Sequence, residues 1–234
     1  MGKRIIQQAR GKGSGTYRVR RKAFSIRLKY PSVVLEGEGT VIKLVSSAGH
    51  TAPLAKILYK NGVFFMPAFE GMIEGQKIIF NGKEINDGNI MRLANIPLKT
   101  KIYCIESRPG DGGIFIKTAG SSAVVTRIED NYVHIMLPSK KEKKLNSNCR
   151  AIIGTIAGSG RLDKPFVKAG RKHHLMKAQG KLWPRTSPIK VNVVDHPFGS
   201  GRGKRAKSKI AKRNAPPGRK VGMVRPRRTG RKKR

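Results

Sequence analysis

Five histidines, two cysteines and a single tryptophan are the residues of this 234-residue chain best suited to chemistry. His173, His174, Trp183 and His196 share the stretch 161–203, while His50 and His134 lie upstream. An imidazole titrates near neutral pH, so His196, between Asp195 and Pro197, has the residue type of a general base. The pattern around it argues otherwise. Adjacent residues rarely hold the geometry of a working acid–base pair, and no second carboxylate, nucleophile or metal-ligand set accompanies it. A histidine flanked by Pro and Gly more often fixes a loop or donates to phosphate. Cys104 and Cys149 lack a Cys-x-x-Cys partner for zinc and are too few for a disulfide framework, so they read as small buried hydrophobes. His134 alternates with Tyr132 and Met136 on one strand face and reads as structural. Binding chemistry remains: Trp183, His173 and His174 can stack on a base or donate to phosphate, although packing of Trp183 against its own barrel is at least an equal alternative.

Charge names the partner. Fifty-one Lys and Arg face 13 Asp and Glu, a formal net charge of +38. Self-repulsion of that size opposes a compact isolated monomer and favours a phosphate backbone. The charge is uneven. Residues 1–34 hold 10 basic and no acidic residues, 35–112 hold 9 and 8, 113–157 hold 7 and 3, and 158–234 hold 25 and 2. A nearly neutral folded centre therefore carries cationic extensions at both ends. There is no basic helix with an apolar face for a membrane surface and no apolar run long enough to span a bilayer. The N-terminus lacks the apolar core of a signal peptide, so the expected place is the cytoplasm, with no membrane partner.

The elements that must position these residues are short strands. Segments 40–45, 54–59, 63–66, 76–80 and 101–106 alternate or are rich in β-branched residues, with Asn61-Gly62 and Asn81-Gly82 as type I′ turn signals. Five short strands without a long helix suggest a small closed barrel of the OB type over 35–112. The loop Arg108-Pro-Gly-Asp-Gly-Gly marks a boundary. Strands at 114–117, 122–127, 131–137, 143–145 and 151–156 then suit an SH3-like barrel over 113–160. Lys140, Lys141, Lys143 and Lys144 read equally as a solvated hairpin tip or a phosphate contact. The 154–160 run has the glycine density of a phosphate loop but lacks a Gly-Lys-Ser/Thr ending, so no nucleotide site is expected. The 118–122 segment would let backbone approach phosphate or ribose. In 161–203, Gly and Pro interrupt every few residues, and no apolar periodicity supports a helix or strand of ordinary length. The reading is a mainly β protein with a basic N-terminal arm (1–34), two barrels, and an irregular basic C-terminal extension (161–234).

Longer motifs sharpen this. Arg161-Leu-Asp-Lys-Pro-Phe-Val-Lys-Ala-Gly-Arg-Lys-His-His, Trp183-Pro184, Asp195-His-Pro-Phe-Gly and Arg213-Asn-Ala-Pro-Pro-Gly-Arg-Lys-Val-Gly occur in this order. With Pro109-Gly-Asp-Gly-Gly and Asn148-Cys-Arg-Ala, they closely resemble the archaeal and eukaryotic branch of universal large-subunit ribosomal protein two. The resemblance covers nearly the whole chain. It departs at Ser187-Pro188 and Val191-Asn192-Val193, where many members read Arg-Gly and then Met-Asn-Pro or Met-Asn-Ala, and at Ser200 and Arg202, which interrupt a glycine run.

The resemblance implies an OB barrel, an SH3-like barrel and a C-terminal extension reaching large-subunit rRNA near the peptidyl-transferase region. It also implies support for subunit association, tRNA binding and peptide-bond formation. The residues expected on rRNA are Arg108, Lys117 and Arg150 in the centre, then Arg161, Lys164, Lys168, Arg171, Lys172, His173 and His174. Trp183, Asn192, His196 and Arg202 follow, with Arg213, Arg219 and Lys220 in the tail. The implied partners are large-subunit rRNA, neighbouring ribosomal proteins and a small-subunit contact. No cofactor or protein-bound metal is expected; structural magnesium through the rRNA is left open. Two alternatives stand beside this reading: a basic DNA-packaging protein, and an enzyme using His196 as general base.

Overall fold

The computed structural model describes residues 2–31, 36–60, 62–82, 84–204 and 221–222. The chain divides into two compact units, one of Arg21–Arg171 and one joining Met1–Arg20 to Lys172–Arg234. The larger unit is mainly β. Its strands are β1 (Gly37–Val45), β2 (Leu54–Tyr59), β3 (Gly62–Pro67), β4 (Lys77–Phe80) and β5 (Ile90–Arg92). They continue as β6 (Lys101–Tyr103), β7 (Ala123–Glu129), β8 (Tyr132–Met136), β9 (Glu142–Asn146) and β10 (Arg150–Ile153). All ten share one mixed sheet in the order β3-β2-β1-β4-β5-β10-β6-β7-β8-β9. Only β4 and β5 pair in parallel, at Phe80 and Ile90.

Two hydrophobic clusters fill this unit. Val41, Ala55, Ile57, Phe64, Met66, Ile78 and Phe80 form the first, with Tyr30 and Phe69. Leu93, Ile96, Val125, Val133, Ile135, Leu145 and Cys149 form the second. The central strands serve both, because successive side chains of a strand point to opposite faces. Ile90 packs into the first cluster and Met91 into the second; Tyr103 and Ile102, then Ile152 and Ile153, divide in the same way. The cores therefore meet within β5, β6 and β10 rather than at the 108–113 loop. Of the residues read as an N-terminal arm, Ala23, Leu28 and Tyr30 are buried in this unit. The Tyr30 hydroxyl donates to the Cys104 carbonyl at 2.5 Å.

Several sequence expectations need correction. Asn81-Gly82 does not close a hairpin: the Asn81 N–H donates to the Ile90 carbonyl at 2.8 Å, and β4 runs parallel to the strand that follows. β6 stops at Tyr103 rather than reaching 106, because Cys104 takes φ +48° and leaves the ladder. Ile116, at φ +57°, likewise breaks the strand expected over 114–117 to one bridge between Ile105 and Phe115. β1 and β7 shift register between Val41 and Lys43 and between Val125 and Arg127, so Ile42 and Thr126 are the extra residues. Such bulges sharpen strand twist, and Ile42 is turned outward.

Two helices were unforeseen, α1 (Ile6–Gly11) and α2 (Ala169–Ala178). α2 buries no side chain, so it has no apolar stripe for periodicity to reveal. Its Ala, Arg, Lys, Leu and Met residues are good helix formers, and its end is capped. Gly180, at φ +63°, donates to the Lys177 carbonyl (3.2 Å), and Lys181 donates to Met176 (2.8 Å). These are the two bonds of a Schellman motif, which needs a left-handed residue at the position glycine fills.

Candidate nucleic-acid interface

Among the expected RNA contacts, Arg150 and Lys117 are held by the β unit itself. Glu106 is fully buried; its Oε1 accepts from Arg150 Nη2 (2.6 Å), Arg150 Nε (3.1 Å) and the Gly112 N–H (3.0 Å). Its Oε2 accepts from the Arg150 N–H at 2.9 Å. The Arg150 guanidinium also lies 5.4 Å from the Tyr30 ring centroid, and its side chain is 14 % exposed. Lys117 Nζ donates to the Leu28 carbonyl at 2.9 Å. Both cations thus tie residues 28–30 or the 106–112 loop to the body instead of facing outward, because their partners lie far away in sequence. Arg108 is exposed at the rim of that loop, where its N–H donates to Asp111 Oδ2 at 3.0 Å. Asp111 also accepts from the Ser107 N–H (2.7 Å), the Ser107 hydroxyl (2.5 Å) and the Gly113 N–H (3.0 Å). Burial pushes the Asp111 carboxyl up, but these hydrogen bonds outweigh it and hold it below the ordinary value.

Other readings resolve locally. His134 lies between Glu129 (3.3 Å) and Glu142 (3.6 Å), a structural placement. Lys144 pairs with Glu129 at 2.8 Å, and Lys143 sits 4.0 Å over the Phe115 ring. Lys140 and Lys141 stay exposed. The 118–122 segment makes its close approach inside the protein: a Cβ on Gly120 would lie 2.5 Å from Ser159 Cα. Burial pushes the Cys104 and Cys149 thiols up to about 11, which suits inert hydrophobes.

Arg161, Lys164, Lys168 and Arg171 are exposed at the end of the β unit, beside Leu162 and Val167, which are 78 % and 84 % exposed. In the other unit, residues 2–20 and 172–204 hold thirteen Lys and Arg against Asp195 alone. Only Ile5 among its described large apolar side chains is buried. Backbone hydrogen bonds shape it instead. The His196 N–H donates to the Asn192 carbonyl (3.2 Å), Gly199 to His196 (2.8 Å) and Ser200 to Val191 (3.1 Å). A Cβ on Gly199 would stand 2.3 Å from the Asn192 oxygen, so only glycine closes this loop as drawn.

The same loop fixes the state of His196. Its Nδ1 accepts from the Phe198 N–H at 3.0 Å, leaving the ring proton on Nε2, and burial lowers its pKa. Asp195 pairs with Lys3 at 3.7 Å, and the Lys3 N–H donates to the Val194 carbonyl at 2.8 Å. Asp195 thus serves the N-terminal segment, and His196 is a neutral donor. Arg202 is exposed.

His173 and His174 stand edge to face on α2, with centroids 5.7 Å apart, and His173 meets Trp183 at 6.5 Å. Lys172 Nζ lies 5.5 Å from the Trp183 ring centroid. Beside them is a cleft of about 360 Å³ whose lining includes Tyr17, Arg18, Arg20, Lys177 and Lys181. Sequence alone singles out none of those five as contacts. The available signal was Tyr17 set among cations in a segment without acids. Arg213, Arg219 and Lys220 lie outside the described residues.

Among the described residues no group of three or more His, Cys, Asp or Glu could hold a metal ion, and no helix is long and apolar enough to cross a membrane. A mainly β unit together with a nearly acid-free unit rich in aromatic and cationic side chains defines a class: a protein built to hold a polyanion. Comparison makes it particular. Residues 86–218 match the family described as Ribosomal Proteins L2, C-terminal domain. The large ribosomal subunit protein uL2 of Archaeoglobus fulgidus is 44 % identical over 237 residues, covering 98 % of this chain and 99 % of its own. That of Methanococcoides burtonii is also 44 % identical over 237 residues, covering 99 % and 100 %. The chain belongs to the uL2 family of ribosomal proteins, which are structural and non-enzymatic.

Proposed function

We propose that this chain is a structural component of the large ribosomal subunit, in the cytoplasm, and binds large-subunit rRNA near the peptidyl-transferase region. There it supports subunit association, tRNA binding and peptide-bond formation. The β unit comprises an OB-type barrel mainly from 35–112 and an SH3-like barrel mainly from 113–160, which share β5, β6 and β10 and present Arg108. The extension from 161 reaches into the RNA. Arg161, Lys164, Lys168, Arg171, Lys172 and Arg202 neutralise phosphates, as do Arg213, Arg219 and Lys220 in the tail. Trp183, His173, His174, Asn192 and His196 contact bases, riboses or phosphates. Neighbouring ribosomal proteins and the small subunit are further partners.

One observation carries this reading: the cations gather where, among the described residues, almost nothing apolar is buried and only Asp195 opposes them. Such a surface gains stability from phosphates rather than from itself. His196 suits a donor more than a base, because its Nδ1 already accepts from Phe198 and Asp195 faces Lys3. Sedimentation of a lysate through sucrose gradients at low and high salt tests the assignment. The protein is expected in the large-subunit peak under both conditions; recovery at the top of the gradient or with chromosomal DNA overturns it. His196→Ala is expected to impair assembly or subunit joining more than peptide transfer in assembled particles.

A further inference from the structure

We propose that the cleft formed by Tyr17, Arg18 and Arg20 with the C-terminal end of α2 and Trp183 is a site for a single unstacked nucleotide. Its base would lie against the aromatic side chains and its phosphate on the surrounding cations. The inference deepens the RNA-binding reading and rests on it.

The cleft lies wholly within the unit that joins the two chain ends. At about 360 Å³ it falls within the ~300–1,000 Å³ typical of ligand clefts. That size suits one nucleotide. Its lining combines three π systems, Tyr17, His173 and Trp183, with Lys177, Lys181 and two arginines, and includes no carboxylate. Cations alone would suit any anion. Aromatic faces among cations suit a base with its phosphate, because bases splayed out of a helix are bound by stacking while the backbone is tracked by charge.

Trp183 supports this on a separate ground. Tryptophan is ordinarily placed to bury a large apolar ring. Here it is only half-buried, in a unit where Ile5 is the one described large apolar side chain that is buried. Trp183 therefore serves no core of its own, and its ring stays available at the cleft with His173 inclined at 60° to it. The backbone is also shaped to make the space. A Cβ on Gly180 would come within 2.7 Å of Val19 Cγ2 and 3.1 Å of the Val19 nitrogen. The glycine that caps α2 thus lets the helix end close against Val19, and residues 17, 18 and 20 on either side of it line the cleft. Arg18 Nε donates to the Gly13 carbonyl at 2.5 Å, which holds the 13–18 turn in place.

Trp183 is the chain's only tryptophan, so its fluorescence reports this site without a label. The full-length protein is titrated at one salt concentration with octaadenylate and with an octamer of abasic ribose phosphates. Octaadenylate is expected to quench Trp183 and bind about ten-fold more tightly than the abasic strand, as stacking of a base would give. Tyr17→Leu is expected to erase most of that margin. Equal affinity for both strands, with Trp183 fluorescence unchanged, overturns the site and leaves attraction to phosphate alone. A second measurement uses assembled particles. Dimethyl sulfate probing of large subunits carrying wild-type or Trp183→Leu protein is expected to show one nucleotide gaining reactivity in the variant; identical patterns overturn the proposal. Loss of the wild-type protein from the large-subunit peak would instead sink the RNA-binding reading.

Discussion

The two units are held by different forces. Unit Arg21–Arg171 buries two apolar clusters that share strands β5, β6 and β10, and its deepest charge, Glu106, is met by Arg150. The unit of the two chain ends buries Ile5 and is shaped by backbone hydrogen bonds, with Asp195 alone against its cations. Burial of apolar area offsets conformational entropy in the first. Among the described residues of the second that term is nearly missing and self-repulsion is added, so a bound polyanion would stabilise it. Stability and binding are therefore separable here, and substitutions should sort by unit.

The largest effect should come from Glu106→Ala. It strands the Arg150 guanidinium and leaves the Gly112 and Arg150 N–H groups without their acceptor, a loss of about 3–5 kcal/mol. Urea unfolding would measure this, and a midpoint close to wild type would break the contrast. Next, Ile57→Ala, at a fully buried position of the first cluster, should cost about 2–5 kcal/mol. Ile5→Ala should leave the urea transition of the β unit in place, and an equal shift from both would show that the units unfold as one.

Binding should respond to the other unit. Lys177→Ala with Lys181→Ala should lower the slope of log affinity for single-stranded RNA against log salt by about 1–2, with the urea midpoint unchanged. The smallest effect is a pH dependence. The Asp111 carboxyl is held below its ordinary value, so its contribution is present above the unfolded-state pKa and is lost as pH falls through the lower folded value. Asp111→Asn should therefore cost about 1 kcal/mol at neutral pH, and its gap to wild type should close below about pH 4. A gap constant from pH 7 to pH 3 would remove the carboxylate from the account.

What the sequence disclosed follows the same division. Hairpin strands β2 and β3, and β7 through β9, were legible because alternation and close pairing are both local. β5 was not: Ile90-Met91-Arg92 has a core on each face, which erases the alternation, and its antiparallel partner β10 lies far along the chain. α2 escaped because a helix with no buried face has no stripe. Arg150 was read as a ligand cation because its acid lies 44 residues away. Trp183 and His173 were visible as types, but Tyr17 joins them only through the fold. Charge pointed to a polyanionic partner without any geometry, since the excess of cations is a property of composition.

The place of β10 has a consequence for how the chain is made. Last of the ten strands in sequence, it lies between β5 and β6 and pairs with both. As the polypeptide leaves the site of its synthesis, β5 and β6 have each emerged tens of residues before the strand that joins them. Until residues 150–153 arrive, that seam is open and its backbone donors and acceptors are exposed to wrong partners. A truncation ending just before Arg150 should therefore aggregate, whereas one ending after Ile156, where the bridge to Phe69 is in place, should yield a soluble β unit. Completion of the fold is thus a late event in translation, and the cationic extension emerges only after the body that carries it can close.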